Sequence, residues 1–227
     1  MKAEKIYTIE ELFDMTHTIA AKLFEGKKYP WEVLPEIKDY IIELGKTLPK
    51  DEFTEVKPNV WIANDAEIFE SAYIGAPCII DHGAKVRHCA FIRESAIVGK
   101  GSVVGNSVEL KNVILFDNVE TPHYNYVGDS VLGWHAHMGA GSITSNVKSD
   151  RLHVAVKAET ETVDTERKKV GAMLGDWVEV GCNSVLNPGT VIGPHTNIYP
   201  TSCVRGVIPA NSIYKDENNI VEKKKEE

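Results

Sequence analysis

Eight histidines are the most versatile chemical groups of this 227-residue chain, because an imidazole can accept a proton near pH 7 and can also bind a metal ion. His82 and His88 are six residues apart, whereas His135 and His137 alternate by two. Neither spacing is typical of a metal-binding motif, so we predict no metal site. His123 is a candidate general base, although a lone histidine is more often structural than catalytic.

Two cations indicate a second kind of chemistry. Arg93 and Lys111 are 18 residues apart, a spacing that brings them together if the chain coils with that period. Two neighbouring cations repel each other unless they are solvated or an anion lies between them. The pair therefore forms either a phosphate site or a solvated face beside the acidic neighbours Glu94 and Glu109. We expect replacement of either cation by alanine to weaken ligand binding with little loss of stability.

The overall charge limits the partners of the chain. Lysine and arginine number 25 against 33 acidic residues, which gives a net charge of −8. This balance disfavours a nucleic-acid partner, and an anionic ligand has to be held by local positive charge. The cysteines form no CxxC pair and have no metal-binding spacing, which predicts reduced thiols in a cytoplasmic protein. The sequence predicts no membrane-spanning segment, and its first residues are not expected to act as a signal peptide.

A repeat of six residues predicts the elements that position these groups. Every sixth residue from Ile62 to Phe116 is apolar, and the period resumes from Leu174 to Val204 after a slip near Pro122. Helices repeat every 3.6 residues and strands every two, so strict six fits neither. It is typical of a hexapeptide β-solenoid, in which three hexads close a triangular coil of about 18 residues. We predict a mainly β fold with six to seven coils.

Three segments flank or interrupt the predicted solenoid, which covers residues 59–214. Residues 1–58 are predicted to form an N-terminal helical cap with a short helical hairpin, which either covers the open first coil or binds a partner. Residues 145–172 form an insertion loop, and insertions into repeat proteins often mark the binding face. Residues 215–227 are highly charged and are expected to be disordered.

The stretch from Arg93 to Asn146 resembles the acetyltransferase domain of the bacterial UDP-N-acetylglucosamine pyrophosphorylase/glucosamine-1-phosphate N-acetyltransferase family. The matching segments run in the same order with matching gaps: VGNSVELK at 104–111, HYNYVGDS at 123–130 and GAGSITSN at 139–146. The whole chain is similar to stand-alone pyrophosphorylase-related proteins. The resemblance implies a left-handed parallel β-helix, a homotrimer and active sites between subunits.

The resemblance also implies roles for individual residues. His123 would be the general base, and a backbone N–H near Ala140 would stabilise the oxyanion. The residues implied at the substrate are Arg93, Glu109, Lys111, Tyr126, His137, Asn146 and Lys169. The residues implied along the acetyl-CoA groove are Ala140, Cys182 and Pro200.

These observations predict an acetyl-CoA-dependent N-acetyltransferase that acts on an amino-sugar 1-phosphate or a nucleotide amino sugar, with no metal required. The alternative is a non-catalytic solenoid that binds a sugar phosphate or nucleotide beside a separate nucleotidyltransferase. That alternative is favoured by His137 and Val147, which replace an Asn and a Tyr of the family. The LxxGxGTRM signature of nucleotidyltransferases is absent from the sequence, so no pyrophosphorylase activity is predicted.

Overall fold

The computed structural model describes residues 3–224 and is built almost entirely of short strands. Its helices are α1 (Ile9–Leu12) and α2 (Ile37–Gly45), with 3-10 turns at Met15–His17, Ala21–Phe24 and Pro30–Val33. The first twelve strands are β1 (Phe53–Lys57), β2 (Val60–Ala63), β3 (Glu67–Ile68), β4 (Tyr73–Ile74), β5 (Cys78–Ile80), β6 (Lys85–Val86), β7 (Phe91–Val98), β8 (Val103–Asn106), β9 (Glu109–Leu115), β10 (Glu120–His123), β11 (Tyr126–Leu132) and β12 (His137–Met138). The other twelve are β13 (Ile143–Thr144), β14 (Ala155–Lys157), β15 (Thr162–Asp164), β16 (Ala172–Leu174), β17 (Glu179–Val180), β18 (Val185–Leu186), β19 (Thr190–Ile192), β20 (Asn197–Ile198), β21 (Cys203–Val204), β22 (Val207–Ile208), β23 (Ser212–Asp216) and β24 (Asn219–Glu222).

The strands stack in parallel on three walls of a prism. The open wall is the sheet β3-β6-β8-β10-β12-β17-β20-β23, to which β24 adds an antiparallel edge. The site wall contains β4, the first halves of β7, β9 and β11, and then β13, β18 and β21. The covered wall contains β2, β5, the second halves of β7, β9 and β11, and then β16, β19 and β22.

This architecture confirms the predicted mainly β solenoid of stacked parallel strands. The open wall has eight parallel strands, so the solenoid has more coils than the six to seven predicted. The additional coils form where the hexad pattern is imperfect, since β10, β12 and β23 still stack in register on their neighbours. Inward side chains such as Ile80, Val98 and Leu115 lie directly above one another and are fully buried.

A one-residue irregularity at Arg93 changes the register of the site wall. Ile92 pairs with Leu110, whereas Glu94 pairs with Lys111, so Arg93 is left out of the ladder. The coil length thereby falls from 18 residues to 17, one coil earlier than the predicted slip near Pro122. The prediction that Arg93 and Lys111 share one column is wrong, because Lys111 lies beside Glu94.

The N-terminal segment runs along the covered wall from the last coil back to the first. The Ala3 N–H donates to the Val207 carbonyl at 3.0 Å, and the Tyr7 hydroxyl accepts from the Ala210 N–H at 2.8 Å. Helix α2 then packs on β5, β7 and β9. The segment therefore covers a side of the prism, where its apolar residues bury Phe116. Helix α1 has only four residues, so it is too short to pack as one arm of the predicted helical hairpin.

The insertion and the C-terminal tail both form β-hairpins. In the insertion, β14 pairs antiparallel with β15, and a bridge between Val147 and Lys169 closes its neck. At the C-terminus, β23 pairs with β24, and Tyr214 faces Ile220. Residues 215–222, expected to be disordered, are therefore strands and a turn, because buried Tyr214 and half-buried Ile220 hold the hairpin against the last coil. Residues 225–227 of the predicted tail lie outside the described residues.

Candidate functional site

A buried carboxylate organises the corner between the site wall and the covered wall. Asp129 is 2% exposed and adopts a left-handed backbone conformation with φ of 49°. Its Oδ1 accepts from Lys111 Nζ at 2.9 Å and from Asn112 Nδ2 at 2.9 Å. Its Oδ2 accepts from Asn146 Nδ2 at 2.6 Å. Because both oxygens accept hydrogen bonds, the buried carboxylate is satisfied. Its charge strengthens these bonds, so it fixes the side chains of Lys111 and Asn146.

Tyr126 joins this network on the outer surface of the site wall. Asn146 Nδ2 also donates to the Tyr126 hydroxyl at 3.2 Å. Both groups lie over Gly128, where an added Cβ would be 2.5 Å from the hydroxyl oxygen and 3.0 Å from Asn146 Nδ2. Burial raises the pKa of Tyr126, and the charge of Asp129 adds to the effect. The phenol therefore stays protonated and can donate a hydrogen bond to a ligand.

Arg93 reaches the same wall from its position outside the ladder. Its Nη1 donates to Glu109 Oε1 at 2.9 Å, and Glu109 pairs in register with Tyr126. Arg93 is exposed, so a ligand can approach the guanidinium. The structure thus brings together Arg93, Glu109, Lys111, Tyr126 and Asn146.

Lys169 completes this group through the neck of the insertion. The Val170 N–H donates to the Asn146 carbonyl at 3.0 Å, and Lys169 bridges Val147 on the opposite side of the neck. Lys169 and Lys111 line one cavity of about 540 Å³ between the solenoid, the insertion and the N-terminal segment.

The residues implied at the base and at the acetyl-CoA groove stack along the opposite edge of the site wall. Each carbonyl in this column accepts a backbone N–H of the next coil, at 3.0 Å for His123, 2.8 Å for Ala140 and 2.8 Å for Cys182. Pro200 lies in the next corner of this column, because the N–H of its neighbour Thr201 donates to the Cys182 carbonyl. Within residues 3–224, the Ala140 N–H donates to no protein acceptor. The structure thus places His123, Ala140, Cys182 and Pro200 in one corner column.

A buried amide holds the corner at His123. Asn125 is 2% exposed, and its Oδ1 accepts from the His123 N–H at 3.1 Å. Its Nδ2 donates to the Gly139 carbonyl at 2.8 Å and to the Ser142 carbonyl at 3.1 Å. Asn125 therefore fixes the backbone of two successive corners. Asn125 and Asp129 were not predicted from the sequence, although both belong to the segment HYNYVGDS that carries the resemblance.

His137 is separate from the other substrate candidates. It lies in β12 on the open wall, and its Nδ1 is 2.9 Å from Glu179 Oε2. The hydrogen bond to Glu179 raises the pKa of His137. The structure does not bring its side chain to the Tyr126 network, and its role at the substrate stays a prediction.

Across residues 3–224, no cluster of three or more His, Cys, Asp or Glu side chains has the arrangement of a metal site. The same residues contain no helix of the length and apolarity that crossing a membrane requires. All four cysteines are free, and burial raises the pKa of Cys78 to about 12.

The family model described as the GMPPB C-terminal domain matches residues 74–208. A bifunctional sugar-1-phosphate nucleotidylyltransferase/acetyltransferase of Sulfurisphaera tokodaii is 29% identical over 189 residues, which cover 82% of this chain and 47% of that protein. The bifunctional protein GlmU of Methanococcus maripaludis is 33% identical over 120 residues, covering 52% and 29%. The chain spans less than half the length of these relatives.

Two solved acetyltransferase structures match parts of the chain. The polySia-specific acetyltransferase NeuO has a TM-score of 0.49 at 12% identity, with 70% of this chain and 80% of that chain covered. GDP-perosamine N-acetyl transferase from Caulobacter crescentus, solved with CoA and GDP-perosamine, has a TM-score of 0.29 at 17% identity, with 73% and 57% covered.

Proposed function

The chain belongs to the family of GMPPB C-terminal domains, and from the geometry of its site we propose that it is an acetyl-CoA-dependent sugar N-acetyltransferase. Its acceptor is an amino-sugar 1-phosphate or a nucleotide amino sugar. One observation carries this proposal: the column of His123 and Ala140 and the network of Tyr126, Asn146 and Lys111 lie on the two edges of one wall. The acetyltransferases among its relatives support the same function.

His123 acts as the general base in this proposal. Its imidazole removes a proton from the amino group of the sugar while the nitrogen attacks the thioester carbonyl carbon. The new C–N bond forms, the C–S bond breaks, and the imidazolium returns its proton to the leaving thiolate. A positioned base of this kind contributes about 10²–10⁴-fold to the rate. The backbone N–H of Ala140 donates to the oxyanion in this proposal, because such a donor has to be free before the reaction.

The network at Asp129 positions the acceptor. Lys111, Lys169 and Arg93 supply positive charge for the phosphate, while Tyr126 and Asn146 supply a hydroxyl and an amide for the sugar. Because Asp129 already holds Lys111 and Asn146 in place, little ordering remains to be done on binding.

A second candidate is a non-catalytic module that binds a sugar phosphate or nucleotide beside a separate nucleotidyltransferase. Two ion pairs favour it: Arg93 and Lys111 already have carboxylate partners at 2.9 Å, so a bound phosphate has to compete with them.

The test is to mix the full chain with acetyl-CoA and a panel of amino-sugar 1-phosphates and nucleotide amino sugars, and to measure the release of free thiol. We expect release with at least one acceptor, above a blank that lacks acceptor. Calorimetric titration of the same panel gives the second readout. Binding of a sugar ligand without thiol release from any mixture would establish the module and contradict the transferase.

A further inference from the structure

The cavity beside the site carries more positive charge than its predicted phosphate residues supply. Besides Lys111 and Lys169, its lining includes Lys38 of α2 and both Arg167 and Lys168 from the neck of the insertion. The carboxylates in the lining are Glu94, Asp129 and Glu166. Five cations against three carboxylates leave a surplus of two positive charges, in a chain whose net charge is −8.

Most of these cations have no carboxylate partner among residues 3–224. Lys111 is paired with Asp129, but within residues 3–224 no carboxylate lies within 4.0 Å of Lys38, Arg167, Lys168 or Lys169. Among the described residues, the Nε of Arg167 is buried and has no hydrogen-bond partner, so the protein does not neutralise this side chain. Cations that share a cavity repel each other unless an anion lies between them.

The cations come from separate segments that are fixed relative to one another. Asn112 Nδ2 donates to the Leu34 carbonyl at 3.2 Å, which ties the N-terminal segment to the corner at Asp129. The neck of the insertion is tied to the same corner, since the Gly171 N–H donates to the Asp129 carbonyl at 2.8 Å. The cavity is therefore built before a ligand arrives.

We propose that this cavity binds a diphosphate, and that the acceptor of the acetyl group is a nucleotide-linked sugar and not a sugar monophosphate. Lys111 and Lys169 lie beside Asn146 and meet the phosphate next to the sugar. Lys38, Arg167 and Lys168 bind the second phosphate, for which the arginine supplies a planar donor pair. The volume of about 540 Å³ leaves room beyond one phosphoryl group, and it falls in the usual range of small-molecule sites. This inference rests on the proposed function for the identity of the acceptor.

Coenzyme A also contains a diphosphate, so the two sources have to be distinguished. The residues implied along the acetyl-CoA groove, Ala140, Cys182 and Pro200, form the corner column at the opposite edge of the site wall. The cavity is lined instead by Lys111 and Asp129, and Asp129 accepts the hydrogen bond of Asn146. We therefore assign the cavity to the nucleotide of the acceptor.

The test compares two double variants of the full chain by calorimetry at constant ionic strength. The first is K38Q/K168Q, which removes two exposed cations from the cavity. The control is K46Q/K148Q, which removes one cation at the end of α2 and one in the insertion. Neither residue lines the cavity. The probes are inorganic pyrophosphate, orthophosphate, UDP, GDP and coenzyme A.

We expect the wild type and the control to bind pyrophosphate and at least one of UDP and GDP more tightly than orthophosphate. The variant K38Q/K168Q should lose about tenfold or more in affinity for these diphosphates, the factor of a lost charge-assisted hydrogen bond, with coenzyme A unaffected. Equal losses in both double variants, or no preference for pyrophosphate over orthophosphate, would overturn the site. A loss confined to coenzyme A would overturn its assignment to the acceptor.

The same measurements distinguish a failure of the proposed transferase from a failure of the diphosphate site. Diphosphate binding without any acetyl transfer would contradict the transferase and leave the diphosphate site in place. Acetyl transfer to a sugar monophosphate, at an equal rate in wild type and K38Q/K168Q, would retain the transferase and overturn the nucleotide-linked acceptor.

Discussion

At the scale of single residues, His123 differs from the histidines that are engaged with acids. His17, His82, His137 and His153 each lie within 4.0 Å of a carboxylate, whereas His123 has no such contact within residues 3–224 and its side chain is exposed. The imidazole of His123 can therefore meet an incoming amine without first breaking an ion pair within the described protein.

The variant His123→Ala should therefore lose acetyl transfer by about 10²–10⁴-fold while still binding acetyl-CoA and the sugar ligand. The matched control is His88→Ala, because His88 occupies the same corner column two coils earlier. Stopped assays of thiol release give the rates, and calorimetry gives the binding. A His123→Ala protein that reacts at the wild-type rate would assign the base to another residue.

Lys111 and Arg93 should differ in their effect on stability, which revises the expectation from the sequence. The side chains of Lys111 and its partner Asp129 are 18% and 3% exposed, whereas the side chains of Arg93 and Glu109 are 44% and 33% exposed. We expect Lys111→Ala to lower the free energy of unfolding by about 1–3 kcal/mol, because it deprives a buried carboxylate of a donor. Arg93→Ala should cost less than about 1 kcal/mol. Urea denaturation measures both, and equal losses would contradict this account of the corner.

At the scale of elements, the repeat was predictable because each inward side chain must be apolar, whatever else the coil does. The register change at Arg93 was not predictable from the sequence. Phe116 continues the apolar period of six residues, although the coil has already shortened by one residue at that point. Phe116 is buried for another reason: its ring lies 5.0 Å from Phe13 and 5.8 Å from Phe24 in the N-terminal segment. Such contacts join residues about a hundred positions apart, which no local pattern reveals.

The candidate site was predictable to a similar degree. The resemblance selected side chains that the structure does bring together, including Tyr126 and Asn146. It gave no reason to select Asp129, whose function is to hold its neighbours and depends on the left-handed corner that buries it. Lys38 also escaped prediction, because the placement of α2 beside the site depends on tertiary contacts.

Asp176 should control the attachment of the N-terminal segment. It is 8% exposed and accepts the Asp14 N–H at 2.7 Å and the Trp134 N–H at 2.8 Å. The variant Asp176→Ala leaves both donors unsatisfied, so we expect a loss of about 1–3 kcal/mol in stability and faster proteolysis within the first residues of the chain. The control is Asp150→Ala in the exposed part of the insertion. Unchanged proteolysis in Asp176→Ala would contradict this function of the residue.

At the scale of the whole molecule, we propose that the chain assembles as a homotrimer, as its resemblance implies. Tyr124 and Tyr199 lie next to His123 and Pro200 in the corner column and are 65% and 45% exposed. Large exposed aromatic side chains at one edge are typical of surfaces that meet a partner, and cyclic symmetry is the usual way to close such contacts. Light scattering should give three times the mass of the chain at micromolar concentration. A stable monomer would contradict a site shared between subunits.

The central claim is that this solenoid transfers an acetyl group to the amine of a phosphorylated sugar. The most direct measurement uses acetyl-CoA labelled with ¹³C in the acetyl group, incubated with the full chain and each amino-sugar phosphate or nucleotide amino sugar, with products identified by mass spectrometry and NMR. The account predicts one labelled N-acetyl sugar, formed by the wild type and not by His123→Ala. Sugar ligands that bind but never acquire the label would contradict it.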